Sequence, residues 1–128
     1  MANLLIPAEA ISVDEAGVLS RAVVRAAHLL QLPQRDVAAI LGVSEATASR
    51  LFAGKYVLAP ERAKEWELAR LFVRFYRALD VLWGHEDSAR AWLASDNLAL
   101  AARPIDLLGS IEGLVRVVGY LDAARGRL

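Results

Sequence analysis

Pro33, Gly42, Ser44 and Gly54 punctuate the stretch QRDVAAILGVSEATASRLFAG (34–54) into two short helices with a sharp turn between them. Pro33 fixes φ and has no N–H, so a helix can begin directly after it, where the first donors lack helical partners in any case. Gly42 closes that helix because a residue without Cβ adopts the positive φ of a C-cap at no steric cost. Ser44 suits the N-cap of the next helix, Glu45 its positive first turn, and Gly54 its stop. A unit of this shape presents one helix to a DNA groove.

Within the unit, Val37, Ala38, Ile40 and Leu41 form one apolar stripe. Thr47, Ala48 and Leu51 share one side of the second helix, the small Ala48 letting the two helices cross closely, while Glu45, Ala46, Ser49 and Arg50 project away. On Gln34, Val37, Ala38, Leu41, Gly42, Val43, Ser44, Thr47, Ser49 and Arg50 the stretch resembles the Xre or Cro/cI-type helix-turn-helix family. It departs from that family at Ala48, where Val or Ile is favoured, and at Phe52, where Glu is frequent.

The resemblance implies that the second helix enters the major groove. Glu45, Ala46, Ser49 and Arg50 then face bases, and Gln34, Ser44 and Thr47 face phosphates. Arg50 is the strongest candidate, since a guanidinium donates two hydrogen bonds to guanine O6 and N7. Glu45 repels phosphate but accepts from a cytosine amino group, and Ala46 offers only a methyl contact to thymine. The plainer alternative is a helical hairpin kept for packing. Between Arg21 and Leu58 five basic residues (Arg21, Arg25, Arg35, Arg50, Lys55) face two acidic ones (Asp36, Glu45), for +3, while Glu9, Asp14 and Glu15 give residues 1–20 a charge of −3. Phosphate contacts supply most non-specific affinity, so a monomer with this balance holds DNA weakly and a homodimer is expected.

The rest of the chain also reads as all-α, a helix-turn-helix bundle followed by a helical C-terminal part, divided at 1–59 and 60–128. Met1 to Ser12 reads as an arm. A support helix is expected from near Asp14 to about Leu32, and a connector over Lys55–Ala59. A long helix is expected from Pro60 to Trp83, ended by Gly84. From Leu68 onward that helix is apolar nearly all round, which calls for cover on more than one side. A second copy is the expected cover, with Leu71, Phe72, Phe75, Tyr76 and Leu79 as the dimer interface. A helix over Glu86–Ala94, a short turn over Ile105–Leu108 and a last helix over Ile111–Ala124 with Ser110 as N-cap complete the reading. There is no convincing strand.

Several function classes recede on composition. The 128 residues are 56% hydrophobic and 23% charged with no net charge. This is too apolar for disorder and suggests surface reserved for a partner. No run of about 18 apolar residues reads as a membrane span, and MANLLIP lacks the basic start and long apolar core of a secretory signal. Without cysteine there is neither disulfide nor thiolate site, and a reducing cytoplasm is the expected compartment. The two histidines, His28 in a helix and His85 in a turn beside Glu86 and Asp87, make no metal or acid–base constellation. No catalytic residue, metal or cofactor is expected.

The second half carries the more specific resemblance. AWLASDNLALAARPIDLLGSIEGLVRVVGYLDAARG (91–126) is similar to the C-terminal domain of the MbcA/ParS/Xre antitoxins. Trp92, Leu93, Asn97, Ala99, Leu100, Pro104, Ile105, Asp106, Leu107, Leu108, Ser110, Glu112, Gly113, Val117 and Leu121 fall at the family's spacing. Asp96 stands where Pro is frequent, and Ala101 and Ala102 replace two glycines, which favours a more helical loop. The resemblance implies an antitoxin whose toxin carries a RES domain that breaks down NAD. The antitoxin's C-terminal region covers the toxin's active-site entrance. The residues expected to do so are Tyr120, Asp122, Arg125, Arg127 and Leu128, an arginine-bearing end able to pair with groups that otherwise receive the dinucleotide. Autorepression through operator DNA is the companion expectation. The rivals are a free-standing repressor with a C-terminal dimerisation domain, and an interaction module whose hairpin no longer touches DNA.

Overall fold

The computed structural model describes residues 8–84 and 86–127. Seven helices follow in order: α1 (Ala8–Leu29), α2 (Gln34–Leu41), α3 (Glu45–Phe52), α4 (Ala63–Trp83), α5 (Glu86–Ala94), α6 (Pro104–Leu107) and α7 (Ile111–Arg125). Among the described residues there is no strand, only an isolated antiparallel bridge between Asn97 and Ala102. The fold is all-α.

The turn chemistry is local. Gly42 adopts φ 69°, and the N–H groups of Gly42 and Val43 close on the carbonyls of Ala39 and Ala38. Ser44 caps α3 by accepting from Thr47 N at 3.0 Å, and Ser110 caps α7 by accepting from Gly113 N at 3.0 Å. Gly54, at φ 75°, lets the chain leave α3.

α4 is the spine. It packs most extensively on α7 and also on α1, α2 and α5, so one continuous core joins both halves of the chain. Phe72, Phe75 and Leu79 are wholly buried, and so are Leu114, Val117 and Leu121 of α7. The dimer interface expected on this stripe therefore needs correction: Phe72, Phe75 and Leu79 have no surface left to offer a second copy. An all-round apolar helix does need cover on several sides, but here the chain's own α7, α1 and α2 provide it. Leu71 and Tyr76 are only half-buried.

Other boundaries shift for identifiable reasons. α1 begins at Ala8, so Ala8–Ser12 belong to a helix and not to an arm; the sequence AEAISVDEA holds good helix formers, early acidic residues and no breaker. The remainder of the expected arm, 1–7, lies outside the described residues. α1 also ends at Leu29, earlier than expected, because Gln31 takes φ 55° and turns the chain so that Leu30 and Leu32 are both buried. α4 starts at Ala63 instead of Pro60. Arg62, at φ −93° and ψ 76°, is spent on the preceding turn: Nη2 donates to Val57 O, Nε donates to Glu65 Oε1 at 2.8 Å, and its guanidinium lies 4.9 Å over the Tyr56 ring. The Tyr56 hydroxyl donates to the same carboxylate. Finally, the loop with Ala101 and Ala102 is not helical. It folds into a closed turn with Ala101 at φ 57°, so alanine is held in the conformation glycine would take freely.

Candidate functional site

Two surfaces carry the residues singled out from sequence. The first is the outer face of α3. Ala48 and Leu51 are buried against α2, and this leaves Glu45, Ala46, Ser49 and Arg50 exposed together, with Ser44 just before them and Gln34 exposed at the start of α2. Thr47 is half-buried, and its hydroxyl accepts from Ser44 Oγ at 2.9 Å. Six of the seven thus lie on α3 and its cap, and Gln34 starts α2. All five basic residues counted between Arg21 and Leu58 are exposed. At the far end of α3, Phe52 meets the edge of the His28 ring at 5.3 Å, so the base of the exposed helix is braced by α1.

The second surface is formed by α5, α7 and the turn between α5 and α6. Here the structure separates residues that the sequence groups together. Tyr120 stacks on Trp92, 6.0 Å between centroids at 21°, and Trp92 in turn lies 6.5 Å from Trp83. Asp122 leaves α7 on another side, where it pairs with Arg74 of α4 and lies 3.7 Å from Arg125. Its carboxylate therefore positions Arg125 and fastens α7 to α4. Arg125 lines a groove between α1 and α4, away from the aromatic trio. Arg127 is exposed past the end of α7, and Leu128 lies outside the described residues.

Sequence reasoning missed two features of this surface. Trp83, Trp92 and Tyr120, distant in sequence, form one half-exposed aromatic row. Leu98, at the tip of the closed turn, is 98% exposed. That turn is held by reciprocal backbone bonds between Asn97 and Ala102, by Leu100 N donating to Asn97 Oδ1 at 3.0 Å, and by Arg116 Nη2 donating to Leu100 O at 2.9 Å. An apolar knob on so constrained a turn has no hydropathy signature. Its only sequence signal is a leucine between Asn97 and Ala99 in an otherwise turn-like stretch.

Gly113 shows why α7 starts where it does. A Cβ there would lie 2.0 Å from the carbonyl oxygen of Leu107, so α6 and α7 meet at a corner only glycine admits. Arg103 and Asp106 pair at 2.9 and 3.0 Å on the outside of that corner, and the carboxylate holds the guanidinium pKa above its ordinary value. Among the described residues no cluster of three or more His, Asp or Glu could hold a metal ion. His85 lies outside them, and its neighbour Asp87 is engaged by Arg90. No helix among the described residues is long and apolar enough to cross a membrane.

Residues 9–74 match the family model of the antitoxin Xre-like helix-turn-helix domain, and residues 78–127 match that of the antitoxin Xre/MbcA/ParS C-terminal toxin-binding domain. The two matches meet within α4. No curated protein matches the chain.

Proposed function

The chain belongs to the Xre/MbcA/ParS-type antitoxins, and we propose that it neutralises a RES-domain, NAD-degrading toxin by seating the end of α7 over that toxin's active-site entrance. In this reading the catalytic chemistry lies wholly in the toxin. A homodimer of the same chain, or the toxin complex, represses its own operon through the α3 face.

The observation that carries the reading is the order of the two matches along the chain: a DNA-reading module and a toxin-binding module share one core through α4. The geometry supports a division of labour. None of the seven residues on α2, α3 and its cap is fully buried, as base and phosphate contacts require. On the other surface, Tyr120 and its tryptophan neighbours supply large rigid anchors, Leu98 adds a preformed apolar tip, and Arg127 supplies a cation beyond the helix end.

Co-expression with the product of the adjacent gene tests the proposal. The intact chain should restore growth and co-purify with that product. The truncation needs care, because Leu121 is fully buried and cutting at Tyr120 would open the core. Removing only Gly126–Leu128 leaves the fold and Arg125 in place, and should abolish protection while leaving DNA binding within about twofold. Full protection by the shortened chain would refute the assignment of the tail.

A further inference from the structure

α1 and α4 pack side by side. Leu58 N, just before α4, donates to Ser20 Oγ at 3.0 Å, and Arg90, just after α4, donates from Nη1 to Leu29 O at 2.8 Å. An open groove of about 970 Å³ lies between α1, at Glu15–Ala22, and α4, and reaches Arg125 at the end of α7. Its walls include Leu19, Ala22 and the half-buried Leu71, together with Val18 and Val81, which are 58% and 57% exposed.

The charges of this groove are sorted along its length. Glu67 lines it from the early turns of α4, and Glu15 from α1. Arg70, Arg74 and Arg77 follow along α4, and Arg125 lines the groove from α7, with Arg74 and Arg125 paired to Asp122. At the helical rise, Glu67 and Arg77 are separated by about 15 Å along α4.

We infer that this groove is the homodimer surface, two copies packing about a two-fold axis with their α1–α4 pairs antiparallel, so that the acidic end of each meets the basic end of the other. A two-fold interface uses the same patch twice and must complement itself. An apolar strip with opposite charges at its two ends does so only when the copies run in opposite directions; a parallel arrangement sets like charges against each other. The exposed valines and Leu71 supply the central burial that a charged rim surrounds. The inference rests on the dimeric DNA binding proposed above and gives that dimer a place, on the outer edge of α4 instead of at Phe72, Phe75 and Leu79.

Sedimentation velocity of the intact protein at micromolar concentration tests it, with two surface variants. Glu67→Arg and Arg77→Glu avoid the Arg74–Asp122 pair, and both positions are exposed, so far-UV circular dichroism should match the parent. Each variant alone sets like charges at both ends and should weaken the dimer about tenfold or more. In an equimolar mixture of the two, every end again meets its opposite, and a heterodimer should form with near-parental affinity. If both variants dimerise as tightly as the parent, the surface is wrong while the dimer stands. If the parent itself is a monomer, the dimeric reading and this surface fall together.

Discussion

Two glycines six residues apart on α7 should respond in opposite directions to the same substitution. At Gly113 an added Cβ would sit 2.0 Å from Leu107 O, 2.8 Å from Leu107 C and 2.9 Å from Ser110 Oγ. The first two atoms are backbone, and no rotamer moves them aside. Relief requires α7 to shift by more than an ångström against α6, and that opens the Ser110 cap. Alanine gains about 1 kcal/mol of helix propensity over glycine. Against this stand about 1–3 kcal/mol of overpacking, at the upper end for a backbone clash, and about 1 kcal/mol for the cap. Gly113→Ala should therefore destabilise the protein by about 2–3 kcal/mol, lowering Tm by roughly 8–12 °C for a chain of this size. At Gly119 nothing lies within 4 Å of the added atom, so Gly119→Ala should stabilise by about 0.5–1 kcal/mol. Urea titrations followed by circular dichroism should show the two midpoints moving to opposite sides of the parent with the slope unchanged. A Gly113→Ala protein as stable as the parent would refute the account of the α6–α7 corner.

Arg50→Ala should weaken binding to the chain's own upstream DNA by about 1–3 kcal/mol, roughly fivefold to a hundredfold, in fluorescence anisotropy at fixed salt, with the circular dichroism spectrum preserved. Leu98→Ser should leave the unfolding free energy within about 0.5 kcal/mol, since the side chain touches nothing in the protein, yet weaken the toxin complex about tenfold in calorimetric titration. Tyr56→Phe should cost about 1 kcal/mol in urea unfolding by deleting the hydrogen bond to Glu65. Burial first, and that bond second, raise the Tyr56 phenol above its ordinary 10.0. Its contribution is thus complete below pH 10 and is lost as pH climbs through the folded value, so the parent should lose stability on the alkaline limb more steeply than the Phe variant.

Where the signal is a local stereochemical demand, it can be read from sequence. Pro33, Gly42, Ser44 and Gly54 place α2 and α3, and Ser110 starts α7, because a cap or a positive φ involves only residues a few positions apart. The exposure of Glu45, Ala46, Ser49 and Arg50 follows from the helix period, whereas their nomination as DNA readers, with Gln34, Ser44 and Thr47, rests on the family resemblance. What the sequence withholds is which partner covers an apolar face. Leu71, Phe72, Phe75, Tyr76 and Leu79 look identical whether the chain's own helices or another copy packs on them, and only the fold shows Phe72, Phe75 and Leu79 buried within the chain's own core. The separation of Tyr120 from Arg125 is likewise invisible until Trp92 and Arg74 are in place. Gly113 matched a spacing without showing its reason, which is a carbonyl oxygen six residues upstream.

The central claim is that the exposed end of α7 stops a toxin from reaching its dinucleotide. The most direct measurement is NAD consumption by the purified product of the adjacent gene, alone, with the intact chain, and with the chain lacking Gly126–Leu128. The account predicts consumption alone, none with a stoichiometric amount of the intact chain, and consumption again when the shortened chain is bound. Undiminished consumption while the intact chain stays bound to the enzyme would contradict it.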